Sequence, residues 1–254
     1  MMEWSVFELE NKFVKVEHDV LDKIPVLRFV PRHYEGVLPT VVYYHGWQSS
    51  KEHLRFQAMT IASFGYQVIL PDALYHGQRG SIDYASSNVI ERHFWEVIFK
   101  SIEEAPNFLS AIINTYKTDY RNIFLLGDSM GAITIPGIFK RTPLVKGMAA
   151  INGVFNWTKA IQSGILPQDD RYKDKIETYD LSNQMALMGQ RPVLILAGME
   201  DKQIPIQGQK EFYNAALKNG FSIEMIEFSC VGHRVTTSML HNLITWLDCK
   251  SSIK

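Results

Sequence analysis

The sequence is poor in cysteine and has no excess of either charge. Its 254 residues include only two cysteines, Cys230 and Cys249, which are too few for a disulfide framework. We expect both to be small, buried or half-buried free thiols. The 26 basic and 27 acidic residues give a formal net charge of -1. Proteins that bind nucleic acid usually show a basic excess, so we expect no nucleic-acid partner.

Long apolar runs are also missing. The longest uncharged stretch with substantial apolar content, residues 129–139, is interrupted by two glycines and a proline, whereas a membrane-spanning helix needs about 18 apolar residues. Residues 1–10 alternate acidic and apolar side chains. A secretory signal instead has a basic flank followed by an apolar stretch. We therefore expect a cytoplasmic protein without a membrane partner.

Short apolar segments alternate with helical patterns along most of the chain. Strands are predicted at 26–30, 40–44, 66–70, 122–126, 147–151, 193–197 and 222–228. Helices are predicted at 88–116, 132–140, 208–218 and 236–248, with a kink or a break at Pro106. This alternation indicates an α/β fold with a mostly parallel central sheet and helices on both faces.

One segment, residues 153–191, interrupts the alternation. It is longer than a single crossover helix requires, and its middle is highly charged. We interpret it as a helix plus a small cap inserted into one domain that spans residues 1–254. The alternative is an ordinary long surface connection.

The sequence Gly-Asp-Ser-Met-Gly at 127–131 is the strongest chemical motif. It directly follows one predicted strand and precedes a predicted helix. A serine nucleophile needs this setting, because the sharp turn presents the hydroxyl of Ser129 above the sheet. The flanking glycines avoid crowding between strand and helix. The N–H of Met130, at a helix N-terminus, is suited to bind an oxyanion.

With this elbow and the order of its elements, the sequence resembles an α/β-hydrolase from about residue 25 to 247. It is most similar to the small serine esterases of the dienelactone-hydrolase and prolyl-oligopeptidase-like branch. The resemblance implies a Ser–Asp–His triad in that chain order, with no metal or organic cofactor. The sequence itself contains no Gly-x-Gly-x-x-Gly motif, no Walker-type loop and no Cys/His metal spacing.

His233 and Asp201 are the predicted partners of Ser129. His233 follows Gly232 in the loop between the last predicted strand and the last helix, and a neutral imidazole suits proton removal near pH 7. The family arrangement Asp-x-x-(Val/Ile)-Pro falls on Asp201, with Glu200 as a neighbouring carboxylate. Asp201 would orient the imidazole and stabilise its charged form.

The remaining site predictions surround this triad. By resemblance, the N–H groups of Trp47 and Met130 form the oxyanion hole, and Gly46 permits a close backbone approach. We expect His45 to brace its loop rather than act as the base. The loop 72–80 resembles a structural loop of the family. The predicted substrate pocket comprises His45, Gly46, Trp47, Tyr75, Phe155 and Trp157.

These features predict a serine hydrolase that cleaves carboxylic esters of small or medium acyl groups through an acyl-enzyme. The predicted partner is a small-molecule ester, and no expectation for the oligomeric state follows. Serine at the elbow argues against dehalogenase or epoxide-hydrolase chemistry, which uses aspartate there. The alternatives are a thioesterase, an acyltransferase or a small-peptide hydrolase. A non-catalytic binding protein with this fold is the alternative from another class.

Overall fold

A computed structural model describes residues 12–84, 86 and 88–251 of the chain. The predictions for residues 1–10 therefore lie outside the described residues. The strands of the described part are β1 Val14–Leu21, β2 Ile24–Pro31, β3 Leu38–Tyr44, β4 Gln67–Pro71, β5 Thr118–Asp128, β6 Gly147–Ile151, β7 Val193–Gly198 and β8 Ile223–Phe228. Its α-helices are α1 Arg55–Ala62, α2 Val89–Thr115, α3 Met130–Arg141, α4 Trp157–Gln162, α5 Lys173–Tyr179, α6 Ile206–Lys218 and α7 Thr237–Lys250.

These strands form one sheet in the order β1-β2-β4-β3-β5-β6-β7-β8. The strands β1 and β2 are antiparallel to their neighbours, and every pairing from β4 to β8 is parallel. The inner strands β3, β4, β6 and β7 are buried along their whole length, as expected for a parallel sheet covered on both sides. The predicted fold class is confirmed.

Each face of the sheet carries its own apolar core. On one face, α1 and α7 contribute Ile61 and Leu243 to a cluster with β3 and β4. On the other face, α2, α3 and α6 contribute Ile98, Ile133 and Phe212 to a larger cluster. Because the strands from β4 to β8 are parallel, their carboxyl ends lie at the same end of the sheet, where ligands of such sheets bind.

The structure corrects one of the two alternatives for Pro106. The helix α2 has 27 residues and continues through this proline, so a break into two helices is wrong, whereas a kink stays a prediction. A proline removes one backbone hydrogen bond, but the apolar side chains of Ile102 and Leu109 on either side of it are buried in the same core. The sequence pattern also did not predict β1 or α1. The first is an edge strand with largely exposed side chains, and the second spans only two turns.

Both cysteines are free and exposed, so the prediction of buried thiols was wrong. Cys230 lies in the loop after β8, with a positive φ of 59°. Cys249 lies near the end of α7, beyond the residues that pack on the sheet. Both positions are outside the apolar clusters, so a small apolar side chain gains no burial there.

The segment 153–191 contains more secondary structure than one helix. It holds α4, α5, a 3-10 helix at Asp170–Tyr172 and a second 3-10 segment at Leu181–Met188, which is kinked at Gln184. That this segment acts as a cap within a single domain remains a prediction. None of the helices in residues 12–84, 86 and 88–251 is long and apolar enough to cross a membrane.

Candidate active site

Ser129 lies at the turn between β5 and α3 in a strained backbone conformation. Its φ is 53° and its ψ is -118°, a combination that few non-glycine residues adopt and that is concentrated at functional sites. The N–H of Ser129 donates to the carbonyl oxygen of Ile151, 3.0 Å away, at the end of β6. The neighbouring strand therefore holds the turn in place.

The glycines on either side of Ser129 are required by space. A Cβ at Gly127 would lie 2.3 Å from the carbonyl carbon of Gly131, and a Cβ at Gly131 would lie 2.0 Å from the carbonyl oxygen of Tyr44. Both contacts are with backbone, which cannot move aside as a flexible side chain can. The motif thus lets α3 begin directly against the ends of β3 and β5.

The three predicted triad residues are brought together in one hydrogen-bonded chain. The Oγ of Ser129 lies 2.8 Å from Nε2 of His233. The Nδ1 of His233 lies 2.7 Å from Oδ2 of Asp201. An ionised carboxylate only accepts, so Nδ1–H donates to Asp201 and leaves Nε2 to accept from the serine hydroxyl. This is the arrangement that proton removal from serine requires.

The carboxylate of Asp201 is fixed by its own loop. Its side chain is fully buried, whereas 17% of the His233 side chain is exposed. The second carboxylate oxygen of Asp201, Oδ1, accepts the N–H groups of Gln203 and Ile204, each at 2.9 Å. The acid is thereby held in one orientation, and the imidazole remains open to the surface.

Asn152 is a site residue that the sequence reasoning missed. It follows β6 with a positive φ of 51°. Its Oδ1 accepts the N–H of Gly198 at 2.9 Å, and its Nδ2 donates to the carbonyl oxygen of Arg234 at 3.1 Å. Asn152 therefore ties the strand before Asp201 to the loop that carries His233. The dipeptide Asn-Gly after a strand is a turn signal that could have drawn attention to it.

The predicted oxyanion loop lies beside the serine. A Cβ at Gly46 would lie 3.3 Å from Cβ of Ser129, so this position needs a small residue for close approach. Met130 is the first residue of α3, where backbone N–H groups have no partner within the helix. The roles of the Trp47 and Met130 N–H groups remain predictions.

His45 braces this loop, as expected, but it does not line a substrate pocket. It is 1% exposed. Its Nδ1–H donates to the carbonyl oxygen of Gly46 at 2.8 Å, and its Nε2 accepts the N–H of Ala73 at 3.1 Å. Burial lowers the pKa of His45 to about 4. A neutral ring is what these two bonds require, because a protonated ring could not accept from Ala73.

Two of the predicted pocket residues are buried in the core instead. Phe155 is 1% exposed and stacks on Phe212 with ring centroids 4.7 Å apart. Trp157 has no exposed surface and packs against Trp95 at 5.3 Å. Placing them in the pocket was wrong, because both rings anchor the segment after β6 to the helices below. Tyr75 is half-buried, and its hydroxyl donates to Oε1 of Glu96 at 2.9 Å.

Trp47 belongs to an aromatic cluster next to the oxyanion loop. Its half-buried indole makes edge contacts with His76 at 5.3 Å and Tyr84 at 5.5 Å, and it packs against Phe94 at 5.8 Å. Among the described residues, the indole N–H of Trp47 has no hydrogen-bond partner. Packing against these rings is sufficient to explain why an aromatic side chain stands at position 47.

Asp128, the residue before the serine, also escaped the sequence reasoning. Its Oδ1 is buried and has no hydrogen-bond partner in the described part of the chain. Burial raises the pKa of Asp128 to about 7. Burial, reinforced by the charge of Asp128, also raises the pKa of Tyr43. No group of three or more His, Cys, Asp or Glu residues within the described ranges could hold a metal ion.

The sheet topology, the strained elbow and the Ser–His–Asp chain define an α/β-hydrolase of the serine hydrolase class. Within that class, the profile of the prolyl oligopeptidase family matches residues 53–247. The chain belongs to this family, which confirms the branch expected from the sequence.

Individual relatives match over nearly their whole length. The chain is 27% identical to YitV of Bacillus subtilis (strain 168), over 92% of this chain and 98% of that protein. It is 27% identical to the esterase YjfP of Escherichia coli (strain K12), with the same coverage of 92% and 98%. Among solved structures, TT1662 from Thermus thermophilus superimposes with a TM-score of 0.81 at 22% identity, covering 95% of this chain and 99% of that one.

Proposed function

We propose that this chain is an esterase that cleaves carboxylic esters of small or medium acyl groups through an acyl-enzyme. The observation that carries the proposal is the hydrogen-bonded chain from Ser129 Oγ through His233 to Asp201, at 2.8 Å and 2.7 Å. The esterase YjfP supports the ester as the substrate class. The substrate is a small molecule, and the cytoplasmic location remains an expectation from the sequence.

In this mechanism His233 removes the proton of Ser129 as its Oγ attacks the ester carbonyl carbon. The negative charge that develops on the carbonyl oxygen is stabilised by the N–H groups of Met130 and Trp47. The imidazolium donates its proton to the departing alcohol, and Asp201 stabilises the charged ring. His233 then takes a proton from a water molecule, whose oxygen attacks the carbonyl carbon of the acyl-enzyme. The bond from that carbon to Ser129 Oγ breaks, His233 returns the proton to Oγ, and the acid is released.

Labelling with a fluorophosphonate tests the nucleophile directly. We expect one label on the native protein, located on Ser129, and no label on Ser129→Ala. Turnover of p-nitrophenyl acetate falls by several orders of magnitude in Ser129→Ala, because the covalent step is lost. Asn214→Leu, which replaces an exposed side chain on α6, is the matched control. It should still take the fluorophosphonate label and hydrolyse p-nitrophenyl acetate. An unlabelled native protein, or labelled Ser129→Ala, would contradict the assignment.

Hydrolysis of small peptides is a second candidate, favoured by membership of the prolyl oligopeptidase family. The same acyl-enzyme chemistry cleaves amides when the leaving amine is protonated by the histidine. Comparing kcat/KM for aminoacyl p-nitroanilides with that for p-nitrophenyl esters of the same amino acids separates the two. A preference for the anilide after correction for intrinsic reactivity would favour the peptidase.

A further inference from the structure

The strand β6 lies between the two strands that lead to the nucleophile and to the acid. It pairs with β5, which ends before Ser129, and with β7, which ends before Asp201. The carbonyl oxygen of Ile151, the last residue of β6, accepts the N–H of Ser129 at 3.0 Å. The N–H of Asn152, the next residue, donates to the carbonyl oxygen of Leu196 in β7 at 2.9 Å. The end of β6 is therefore fixed to both neighbouring strands beside the active site.

The side chain of Asn152 extends this connection to the base. Its Oδ1 accepts the N–H of Gly198, which precedes Asp201 in the acid segment, at 2.9 Å. Its Nδ2 donates to the carbonyl oxygen of Arg234, the residue after His233, at 3.1 Å. Only 3% of Asn152 is exposed, so water competes little for these two bonds. One side chain thus bridges the two segments whose spacing sets the hydrogen bond between acid and base.

The two partners of Asn152 require a carboxamide. The N–H of Gly198 can only donate and the carbonyl oxygen of Arg234 can only accept, so position 152 must supply one acceptor and one donor. An ionised carboxylate of the same shape lacks the donor. The partners also define the orientation of the amide, because the flipped side chain would face N–H with NH₂ and oxygen with oxygen.

The backbone of Asn152 is strained as well. Its φ is 51°, in a left-handed region that asparagine visits more readily than most residues but still at a cost. Proteins keep such strain where the surrounding structure imposes it, and it is concentrated at functional sites. Ser129, with a φ of 53°, has the same feature. A strained, buried amide between acid and base indicates a role in the geometry of the triad.

A second contact holds the loop of the base on its other side. The N–H of Glu200, which precedes Asp201, donates to the carbonyl oxygen of Val231 at 2.9 Å. This bond fixes the loop before His233, whereas the bond from Asn152 fixes it after His233. Loss of the Asn152 amide would therefore leave the acid bonded to the base while the position of the imidazole over the serine is less restricted.

We propose that Asn152 is a positioning residue, whose carboxamide holds the acid and base segments at the spacing that directs Nε2 of His233 to Oγ of Ser129. The inference rests on the proposed function and adds a residue on which the rate of proton removal depends. The cleaved bond and the roles of the triad are unchanged. A misplacement of about 1 Å can reduce the rate of an enzyme about 100-fold, so a small shift of the loop is sufficient.

Two substitutions at position 152 test the proposal. Asn152→Gly removes both side-chain bonds but relieves the strain, because glycine readily adopts a positive φ. We expect kcat for p-nitrophenyl acetate to fall about tenfold or more. KM should stay within about twofold, because His233 acts in both acylation and deacylation and both steps slow together. Asn152→Asp, assayed at about pH 9 to ionise the introduced carboxyl, is the second variant and should change kcat in the same direction.

Asn122→Ala is the matched control. Asn122 is 4% exposed. Its amide donates to Oδ2 of Asp119 at 2.6 Å and accepts from Nζ of Lys146 at 2.6 Å. It therefore also bridges two segments, but in the part of β5 that is distant from Ser129 in sequence. The control should lose at least as much in Tm as Asn152→Gly and keep the native kcat.

Proton NMR separates positioning from a general loss of stability. The Nδ1 proton that His233 donates to Asp201 should give a resolved downfield resonance in the native protein, assigned by its loss in His233→Gln. In Asn152→Gly this resonance should shift or broaden, because the ring is less restricted. In Asn122→Ala it should be unchanged.

The outcomes distinguish this proposal from the proposed function. Native kcat in either folded variant at position 152 overturns the inference, and the esterase function stands. Equal losses of kcat in Asn152→Gly and Asn122→Ala have the same consequence, because activity would then follow stability. If the native protein cleaves no ester and takes no fluorophosphonate label, the function itself fails, and the inference fails with it.

Discussion

Asp128, the residue before the nucleophile, makes the free energy of unfolding depend on pH. Its folded-state pKa is raised to about 7 by burial, whereas an aspartate in an unfolded chain titrates near pH 4. Between these two values the unfolded chain loses the proton that the folded chain keeps. The free energy of unfolding therefore decreases as the pH rises from about 4 to about 7, and this stability is absent at higher pH.

Asp128→Asn removes this titration, and its effect is expected to depend on pH. Relative to the native protein, the variant should gain roughly 4 kcal/mol in unfolding free energy between about pH 4 and pH 8. Urea unfolding of both proteins across this range measures the difference. Asp174→Asn, an exposed substitution on α5, should give a nearly constant difference. A constant difference for Asp128→Asn as well would mean that Asp128 is already ionised in the folded protein at low pH.

At the level of elements, the close approach of α3 to β3 depends on Gly131. A Cβ there would lie 2.0 Å from the carbonyl oxygen of Tyr44, so Gly131→Ala must displace the helix or the strand. We expect a loss of roughly 3 kcal/mol or more in unfolding free energy, measured by urea unfolding. Gly208→Ala on α6 is the control, since nothing lies within 4 Å of its Cβ. It should gain about 0.5–1 kcal/mol. Equal stability of Gly131→Ala and the native protein would refute the steric argument.

A second prediction concerns the segment 153–191. Asp180 is fully buried. Its Oδ2 accepts the N–H of Thr158 at 3.0 Å and its Oδ1 accepts the N–H of Ser182 at 2.9 Å, which ties the start of α4 to the second 3-10 helix. Asp180→Ala leaves these donors unpaired and should cost about 2–3 kcal/mol.

Hydrogen exchange distinguishes a local effect from a global one. In Asp180→Ala, amides in the segment 153–191 should exchange faster while those of β5 and β7 stay protected. Asp174→Ala, on the exposed side of α5, should exchange like the native protein. If all amides accelerate together, the segment is not a separately opening unit, and its interpretation as a cap loses support.

Sequence reasoning succeeded where a single local motif carries the information. The elbow around Ser129 combines a buried strand, two glycines and a helix start, and each leaves its own pattern. It failed for Phe155 and Trp157, because a pattern cannot tell whether an apolar side chain just before or within a short helix faces a cavity or the core. The sequence was equally unable to predict that the side-chain amide of Gln209 has no hydrogen-bond partner among the described residues. Whether a polar side chain has a partner depends on residues distant in sequence.

At the scale of the whole molecule, the sheet separates two cores that share only the strands. Trp157 belongs to the core under α2, α3 and α6, and Trp246 belongs to the core under α1 and α7. The buried strands contribute alternate side chains to both, as Phe124 and Leu125 of β5 illustrate. Because the same strands supply side chains to both cores, unfolding of the strands on one face would also expose the apolar side chains on the other face. The alternation of strands and helices predicted this layering, whereas the antiparallel edge strand β1, mostly exposed, left no pattern strong enough to predict.

This coupling predicts that both cores unfold together, and we propose that the described part of the chain is one cooperative unit. With fluorinated tryptophan incorporated, the fluorine resonances of Trp157 and Trp246 can be assigned through Trp157→Phe and Trp246→Phe. In urea, both native resonances should disappear with the same midpoint, coincident with the far-ultraviolet circular dichroism. The Asp180→Ala protein provides the stringent case, since a locally loosened segment would shift Trp157 first. Separate midpoints in the native protein would divide the chain into two units and contradict the single-domain prediction.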